Sequence, residues 1–405
     1  MEEKKSYKVY KIIMIIMLTA FITFMITTIV GYNYIIKGDG KILLLNTSSD
    51  NQDIATKLEK YRAIIDEYYL WDVDEENLEE GAIKGYIEGL NDPFTEYISK
   101  EEMQEYMQDT MGNYVGIGIY MVLDSQNGKI RILAPMKNSP AEQAGLKSGD
   151  IILEVDGQSY NEDEMSSMAN KIKGEEGTKV KLKVLRGEET LEFEIERKNI
   201  KVNPVEGKVI NNNIGYIQFS SFDETTAEDF KAKYQELEAQ GITSLIIDLR
   251  NNGGGLVDQA TDIADLIIEK GKDLIYEVDK DGNQETVKSE IDPIINMPIV
   301  VLVNENTASA SEILAGALKD YGKATIIGTT TYGKGVIQQI LTLKDGSGLK
   351  ITTEEYQTPN HKKIHGVGIE PNIVVELPED LKEELSIPEN QDTQLQKAIE
   401  VLSNK

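Results

Sequence analysis

Four short apolar runs in the second half of the chain constrain its fold more than any other feature. These runs cover residues 214–219, 244–249, 298–303 and 324–328. Residues 225–240 and 257–269, which lie between the runs, have the composition of helices. Short apolar runs of this length are typical of buried strands. Strands that alternate with helices predict an α/β core built around a buried sheet.

A serine-containing turn follows the third apolar run. Residues 304–318 (N-E-N-T-A-S-A-S-E-I-L-A-G-A-L) pass from small residues into a helical sequence, and Ser309 lies on the predicted strand-to-helix turn. A serine there is exposed on tight backbone, beside helix N–H groups that point at a bound group. Lys334 lies 25 positions later between Gly333 and Gly335, and Gln338 follows four residues on.

We interpret Ser309, Lys334 and Gln338 as a catalytic set. The structural alternative is that Ser309 and Ser311 are helix N-caps, as most serines before helices are, and that Lys334 is one more solvated lysine.

A glycine run at residues 248–255 (D-L-R-N-N-G-G-G) ends the second apolar run. It lacks the G-K-[ST] of a P-loop and the spacing of a dinucleotide-binding motif. Beside a serine nucleophile it suits an oxyanion hole, which needs two N–H donors where negative charge develops. We assign one donor to Gly254 or Gly255 and the other to Ala310. The alternative is a turn that serves packing alone.

Composition excludes several classes of function. The formal net charge of −28 disfavours nucleic-acid binding, which needs clustered basic residues. The chain has no cysteine, so disulfides, thiol catalysis and cysteine-ligated zinc are excluded. His361 and His365 are the only histidines, and the residues between them (K-K-I) lack the glutamate base of a metalloprotease pair. We therefore expect neither a metal nor another cofactor.

The N-terminus resembles a membrane anchor. Residues 1–11 carry four lysines, and residues 12–36 contain no charged residue. About 25 such residues are long enough to span a membrane with some tilt, and the preceding lysines predict a cytoplasmic N-terminus. We therefore expect a single-pass cell-membrane protein whose catalytic part is extracytoplasmic. A cleaved signal peptide is the alternative, although the apolar stretch is long and no clear A-x-A site follows it.

Residues 114–199 form a β-rich module. Residues 180–186 and 191–195 flank Gly187 as a predicted hairpin. Residues 139–157 (S-P-A-E-Q-A-G-L-K-S-G-D-I-I-L-E-V-D-G) resemble the PDZ signature. PDZ domains take up a peptide as an added strand and hold its terminal carboxylate on backbone N–H groups. The resemblance implies that the peptide-binding loop consists of Gly116, Ile117, Gly118 and Ile119, with Lys173 where arginine is frequent.

Three motifs and their order resemble the carboxyl-terminal processing proteases. They are T-A-S-A-S-E-I at 307–313, D-L-R-N-N-G-G-G at 248–255 and Y-G-K-G-V-I-Q at 332–338. The resemblance runs from about residue 61 to 371 and includes D-P-F-T-E-Y-I at 92–98. Gln357 and Asn372 depart from the family pattern.

The resemblance implies a crotonase-like protease core with an inserted PDZ domain, and a homodimer formed through N-terminal helices. It makes Ser309 the nucleophile, Lys334 the general base and Gln338 the residue that orients the lysine. The chain is predicted to have seven parts: a cytoplasmic tail (1–11), a transmembrane anchor (12–36), a linker (37–52), a helical dimerisation region (53–113), a PDZ domain (114–199), a protease core (200–376) and a C-terminal segment (377–405).

The predicted activity is that of a serine endopeptidase whose substrates are protein or peptide C-termini. A lysine base must lose much of its ordinary pKa of about 10.4, which burial can achieve. Uncharged Gln338 can orient the lysine without raising its pKa. We expect Glu312 on the helix surface or in a structural contact. The alternatives are a membrane-tethered PDZ adaptor with an inactive core and an acyl-CoA enzyme, the latter disfavoured by the expected location and the PDZ module.

Overall fold

The computed structural model describes residues 17, 19, 21–27, 53–110, 113–124, 129–160, 164–381 and 387–404. The chain divides into two units, Met1–Glu79 and Glu80–Lys405. The predicted linker at 37–52 and most of the predicted anchor at 12–36 lie outside the described residues. Residues 17, 19 and 21–27 are helical, and no helix among the described residues has the length and apolarity needed to cross a bilayer.

The first unit contains helix α1 (Ile54–Tyr68) and the start of α2 (Glu75–Glu88). Arg62 forms ion pairs with Asp66, at 2.9 Å, and with Glu75. Helix α1 agrees with the N-terminal helices that the family resemblance implies. None of its residues is buried, so its apolar side chains remain exposed within the chain.

The second unit begins with α2 and continues through a short strand and a helix into the PDZ module. These elements are β1 (Glu96–Ile98), α3 (Lys100–Thr110), β2 (Asn113–Gly116), β3 (Ile119–Asp124), β4 (Lys129–Pro135), α4 (Pro140–Ala144), β5 (Ile151–Val155), α5 (Met165–Ile172), β6 (Lys179–Arg186), β7 (Glu189–Glu196) and β8 (Lys198–Lys201). The predicted hairpin around Gly187 is confirmed as β6–β7. Residues 117 and 118 separate β2, which ends at Gly116, from β3, which starts at Ile119.

Five antiparallel strands form the PDZ sheet in the order β3-β4-β5-β6-β7, and β2 pairs with β8 beside it. Alternate side chains of β4 and β6, including Ile130, Ile132, Val180 and Leu182, are buried in one apolar cluster with Met168 of α5. The module therefore has its own hydrophobic core.

The α/β core follows and confirms the predicted alternation. Its elements are β9 (Val205–Ile210), β10 (Ile214–Phe219), α6 (Thr226–Ala239), β11 (Ser244–Asp248), α7 (Val257–Asp265), β12 (Asp273–Asp279), β13 (Gln284–Lys288), β14 (Ile299–Val303), α8 (Ala310–Asp320), β15 (Ala324–Gly328), β16 (Val336–Thr342), β17 (Gly348–Gln357), β18 (Ile373–Val374) and α9 (Thr393–Ser403).

The central sheet has the order β18-β15-β14-β11-β10-β9 and is parallel except for the β9–β10 pair. Strands β11 and β14 are buried on both faces: Ile247 and Val301 pack in one core cluster, and Ile246 and Val300 in the other. Burial on both faces explains why these strands read as continuous apolar runs rather than as alternating ones.

Helix α9 covers the second face of that sheet. Leu395, Ala398 and Leu402 are buried in the same cluster as Ile246 and Val300. The apolar face of α9 therefore packs against the core of its own chain.

A second, antiparallel sheet was not predicted. Strand β17 pairs with β16 on one side and with β12 and β1 on the other, and β12 pairs with β13. Strand β1 comes from the region predicted to be helical, at residues 53–113. The segment before the PDZ domain therefore joins the same sheet as the strand that carries Gln338.

Candidate active site

The turn after β14 carries Ser309. Thr307 holds this turn, because its Oγ1 donates to the carbonyl of Leu249 at 2.8 Å and its N–H to that of Asn304 at 2.9 Å. Ser309 has φ 56° and ψ −119°, and helix α8 begins at the next residue, Ala310. A positive φ is strained for a residue with a β-carbon and occurs preferentially at functional sites. Ser309 thus lies on the predicted strand-to-helix turn, but it is buried rather than exposed as expected.

The neighbouring Ser311 is a structural residue. It is fully buried, and its Oγ donates to the carbonyl of Asn252 at 3.1 Å. The N–H of Ala308 donates to the same carbonyl at 3.0 Å. These two bonds fasten the serine turn to the strand-end segment that contains the glycine run.

Gly254 packs directly against the serine turn. A β-carbon on Gly254 would lie 2.8 Å from Cβ of Ser309 and 2.9 Å from N of Ala310, so only glycine fits. Its own N–H donates to Oδ1 of Asn252 at 2.8 Å. The N–H groups of Gly255 and Ala310 donate to no residue that the structure describes. Of the three predicted oxyanion donors, Gly254 is therefore already engaged, whereas Gly255 and Ala310 are free.

Lys334 lies in the loop between β15 and β16, with its side chain half-buried. Burial lowers the pKa of its ammonium below the ordinary value, and the positive charge of Lys350 lowers it further. The negative charges of Glu96, Asp92 and Glu312 oppose this shift without reversing it. The direction of the shift is the one that a lysine base requires.

Glu312 joins the serine turn to the lysine loop. Its Oε2 accepts the N–H of Ser309 at 2.9 Å and that of Lys334 at 2.8 Å. Its Oε1 accepts the N–H of Gly333 at 2.8 Å and the hydroxyl of Thr331 at 2.5 Å. Glu312 is fully buried, so the expected structural contact is confirmed and the surface position is wrong. The sequence offered one signal for this contact: Glu312 is a lone acidic residue directly before the apolar sequence I-L-A-G-A-L. A charge buried with such a helix needs hydrogen-bonding partners.

Tyr356 makes a second link between the same two segments, which the sequence did not reveal. Its hydroxyl lies 3.0 Å from the carbonyl of Ser309 and 2.9 Å from that of Lys334. Burial raises the pKa of this phenol well above its usual value, and the negative charge of Glu312 raises it further. Tyr356 therefore stays protonated and keeps a hydrogen to donate.

Gln338 lies on β16, next to a register shift between Ile337 and Gln338 in the pairing with β17. Such irregularities re-aim side chains and are frequent beside active sites. The Nε2 of Gln338 donates to Oγ1 of Thr352 at 3.3 Å. No hydrogen bond joins Gln338 to Lys334, both of which are among the described residues. In this arrangement the amide of Gln338 contacts β17, and its role towards the lysine stays a prediction.

Arg250 ties the glycine run to the C-terminal segment. Its guanidinium forms ion pairs with Asp248 at 2.6 Å and Asp392 at 2.8 Å, and it also donates to Gln394 at 3.1 Å. These residues line a cavity of about 500 Å³ whose lining excludes Ser309. The arginine is therefore a structural anchor, and this cavity is separate from the candidate active site.

The PDZ loop predicted to bind peptide C-termini is buried backbone between β2 and β3. The carbonyls of Ile117 and Gly118 accept the N–H groups of Ala141 and Met136 at 2.9 and 3.0 Å. Gly118 has φ +74°, and a β-carbon there would lie 2.6 Å from Cβ of Ser139. Strand β3 pairs only with β4 within the described PDZ sheet, which leaves one edge for an added strand.

Lys173 follows α5, the helix that packs in the PDZ core, and its Nζ lies 5.8 Å from the centre of the Tyr114 ring. Lys173, at the position where the family often has arginine, therefore lies over the aromatic ring of Tyr114 on β2.

Comparisons with known proteins agree with this architecture. Residues 213–375 match the model of peptidase family S41, residues 131–186 a PDZ domain, and residues 17–102 the N-terminal domain of the activating protease CtpB. The carboxy-terminal processing protease CtpA of Bacillus subtilis (strain 168) is 38% identical over 363 residues, which cover 89% of this chain and 77% of that protein. A Staphylococcus aureus (strain COL) protein named as a CtpA-like serine protease is 37% identical, with coverage of 89% and 71%.

A solved structure from Bacteroides fragilis, assigned to the S41 proteases, matches with a TM-score of 0.57. It is 18% identical and the match covers 87% of this chain and 98% of that one, so it supports the fold alone. Fold and sequence together define a serine-type peptidase that carries a PDZ domain. The chain belongs to peptidase family S41, the family of the carboxy-terminal processing proteases.

Proposed function

We propose that this chain is a serine endopeptidase that captures protein C-termini with its PDZ domain and cleaves near them with Ser309 and Lys334. The observation that carries the proposal is the shared carboxylate of Glu312. One oxygen of this buried side chain accepts the backbone N–H groups of both Ser309 and Lys334. The strained serine and the lysine of lowered pKa therefore belong to one rigid assembly.

In the proposed reaction, Oγ of Ser309 attacks the scissile carbonyl while Nζ of neutral Lys334 takes the hydroxyl proton. The N–H groups of Ala310 and Gly255 stabilise the oxyanion, since both are free to donate. Lys334 then gives its proton to the departing amine, and an acyl-enzyme remains. Water attacks this ester with Lys334 again as base, which releases the new C-terminus and regenerates Ser309. Gln338 is proposed to orient Lys334, as the family resemblance implies, while its amide contacts Thr352 of β17.

Substrate capture is proposed at the free edge of β3. A peptide that adds there extends the PDZ sheet, and its terminal carboxylate meets the backbone between β2 and β3. The apolar cluster that includes Ile117 and Met168 lies beneath this edge and favours an apolar C-terminal side chain.

Three further parts of the proposal concern the location of the protein, its oligomeric state and the classification of its core. The uncharged residues 12–36, preceded by four lysines, support a single-pass membrane anchor with the catalytic part on the extracytoplasmic side. The exposed apolar side chains of α1, among them Leu58, Tyr61 and Tyr68, support a homodimer formed through the N-terminal helices. The family resemblance supports a crotonase-like classification of the core.

The test is cleavage of an unstructured protein by the full-length chain purified in detergent, followed by mass spectrometry. We expect Ser309→Ala to lose more than about a thousandfold in kcat, since the nucleophile is removed. Ser311→Ala is the matched control, because it removes a neighbouring hydroxyl that only supports the turn. Amidation of the substrate C-terminus removes the carboxylate charge and should raise KM.

Full activity in Ser309→Ala would refute the proposed nucleophile. Absence of cleavage by the wild-type chain, combined with tight binding of C-terminal peptides, would support the alternative of a membrane-tethered PDZ adaptor with an inactive core.

A further inference from the structure

An aromatic ring from outside the S41 family match covers the candidate catalytic lysine. Nζ of Lys334 lies 5.0 Å from the centre of the Phe94 ring, within the range of a cation–π contact. The ring of His365 meets the same phenylalanine edge-on, with 6.2 Å between ring centres. Phe94 belongs to the segment before the PDZ domain, 240 positions from the lysine it covers.

The position of this ring is fixed by a built turn. Asp92 accepts the N–H of Phe94 at 3.0 Å on Oδ1 and the hydroxyl of Thr95 at 2.6 Å on Oδ2. Thr95 in turn accepts the N–H of Thr352 on β17 at 3.1 Å. The hydroxyl of Thr352 accepts the amide of Gln338. One hydrogen-bonded chain thus connects the Phe94 turn to β17 and β16.

Strand β1 adds a second attachment immediately after the turn. Glu96 pairs with Lys350 in the β1–β17 register, and their side chains form an ion pair at 2.8 Å. The backbone that follows Phe94 is therefore fastened to the core, and the Asp92 turn holds Phe94 against that attachment.

We propose that Phe94 is a positioning residue for the reaction: its ring shields the Lys334 ammonium from water and fixes the direction in which Nζ points. This inference rests on the proposed Ser309–Lys334 function. In this role Phe94 acts through the lysine that its ring covers.

The ring acts on Lys334 in two opposite ways. It displaces water, and loss of hydration disfavours the charged ammonium. Its negative π-face attracts the same ammonium. Burial is the largest influence on the pKa of Lys334, and the Phe94 ring contributes to that burial. We therefore propose that displacement of water is the larger of the two effects. The charged groups that face Lys334 are Lys350, Glu96, Asp92 and Glu312, and all four are unchanged in the variants below.

The two effects separate in two substitutions. Phe94→Ala admits water, so the pKa of Lys334 rises. The acid limb of the pH profile of kcat then moves to higher pH by about one unit, and kcat at neutral pH falls by about tenfold. Phe94→Leu keeps the apolar cover but removes the π-face that attracts the ammonium, so the pKa of Lys334 falls. The acid limb then moves to lower pH by about half a unit. Phe94→Tyr keeps both and should retain the wild-type limb.

The assay measures kcat and KM of the full-length chain from pH 5 to 10 with one peptide substrate. Phe193→Leu is the matched control, because Phe193 is a half-buried ring of the PDZ sheet that lies 5.8 Å from the guanidinium of Arg186. It should leave the acid limb unchanged. KM should stay within about twofold in all Phe94 variants, since the proposed role of the ring is exerted through the lysine alone.

The inference would be overturned if the acid limbs of both Phe94→Ala and Phe94→Leu superimposed on that of the wild type. A lower kcat without any shift of the acid limb would overturn it as well. If circular dichroism shows that Phe94→Ala is unfolded, the opposite-signed shift in Phe94→Leu decides the matter alone. Activity that persists in Ser309→Ala would refute the proposed function itself. Ser309-dependent activity with unshifted limbs would refute only the role of Phe94.

Discussion

Replacement of Glu312 by glutamine tests the assembly on which the proposed chemistry depends. Glu312→Gln keeps the shape of the side chain but exchanges one acceptor oxygen for an NH₂ donor. In its best orientation, the remaining oxygen still accepts the N–H groups of Ser309 and Lys334. The new NH₂ then faces the N–H of Gly333, which loses its acceptor. Thr331 can still accept from the amide by rotating its hydroxyl.

The magnitude follows from these contacts. An unpaired buried N–H costs about 1–3 kcal/mol, and each bond that loses its charge loses about 1 kcal/mol. Relief from burying a charge offsets part of this cost. We therefore expect a loss of about 2–4 kcal/mol in the free energy of unfolding. A shift of about 1 Å between serine and lysine costs about a hundredfold in rate, so we expect kcat to fall by about that factor.

The assay compares kcat, KM and urea unfolding of wild type, Glu312→Gln and Glu305→Gln. Glu305 is the matched control, since it is an exposed carboxylate of the same turn whose side chain accepts the Thr329 hydroxyl. We expect the control to keep both rate and stability. A Glu312→Gln variant with wild-type kcat and an unchanged unfolding midpoint would refute the reasoning.

Three further predictions follow from the same geometry. Lys334 must be neutral to act as a base, and burial lowers its pKa below 10.5. The rate should therefore fall as the pH falls through that lowered pKa. A pH–rate profile that rises on acidification would contradict this. Gln338→Ala should lower kcat by about tenfold, less than Ser309→Ala, because it loosens β17 without removing a reacting group; steady-state kinetics with wild-type values would remove Gln338 from the set. Gly118→Ala should weaken binding of C-terminal peptides by at least about tenfold, since its β-carbon would meet Ser139; fluorescence anisotropy measures this, and unchanged affinity would exclude the loop.

Local pattern was sufficient for the elements whose burial is uniform. Strands β10, β11, β14 and β15 fall within or beside the predicted ranges, because both faces of the central sheet are covered and most of their positions are apolar. Ser309 could be singled out because strand, turn and helix are contiguous at residues 298–318. The PDZ hairpin was predictable for the same reason, since a short loop joins β6 to β7.

The second sheet escaped prediction because its strands are not uniformly apolar. Strand β17 is intermediate in exposure along nearly its whole length, so no period distinguishes its faces. Strand β1 has three residues and pairs with a segment about 250 positions away. A pairing at that separation leaves no local trace in either segment.

The sequence by itself determined the α/β core, the PDZ module, the family and which serine and lysine are the candidates for catalysis. Only the tertiary structure decided how these two residues are held. Glu312 and Tyr356 each contact both the serine turn and the lysine loop, and Phe94 reaches the same lysine from before the PDZ domain. Periodicity records whether a side chain is buried, whereas its partner depends on how distant segments pack together. The chemistry can therefore be predicted from motifs, but the contacts that tune it require the fold.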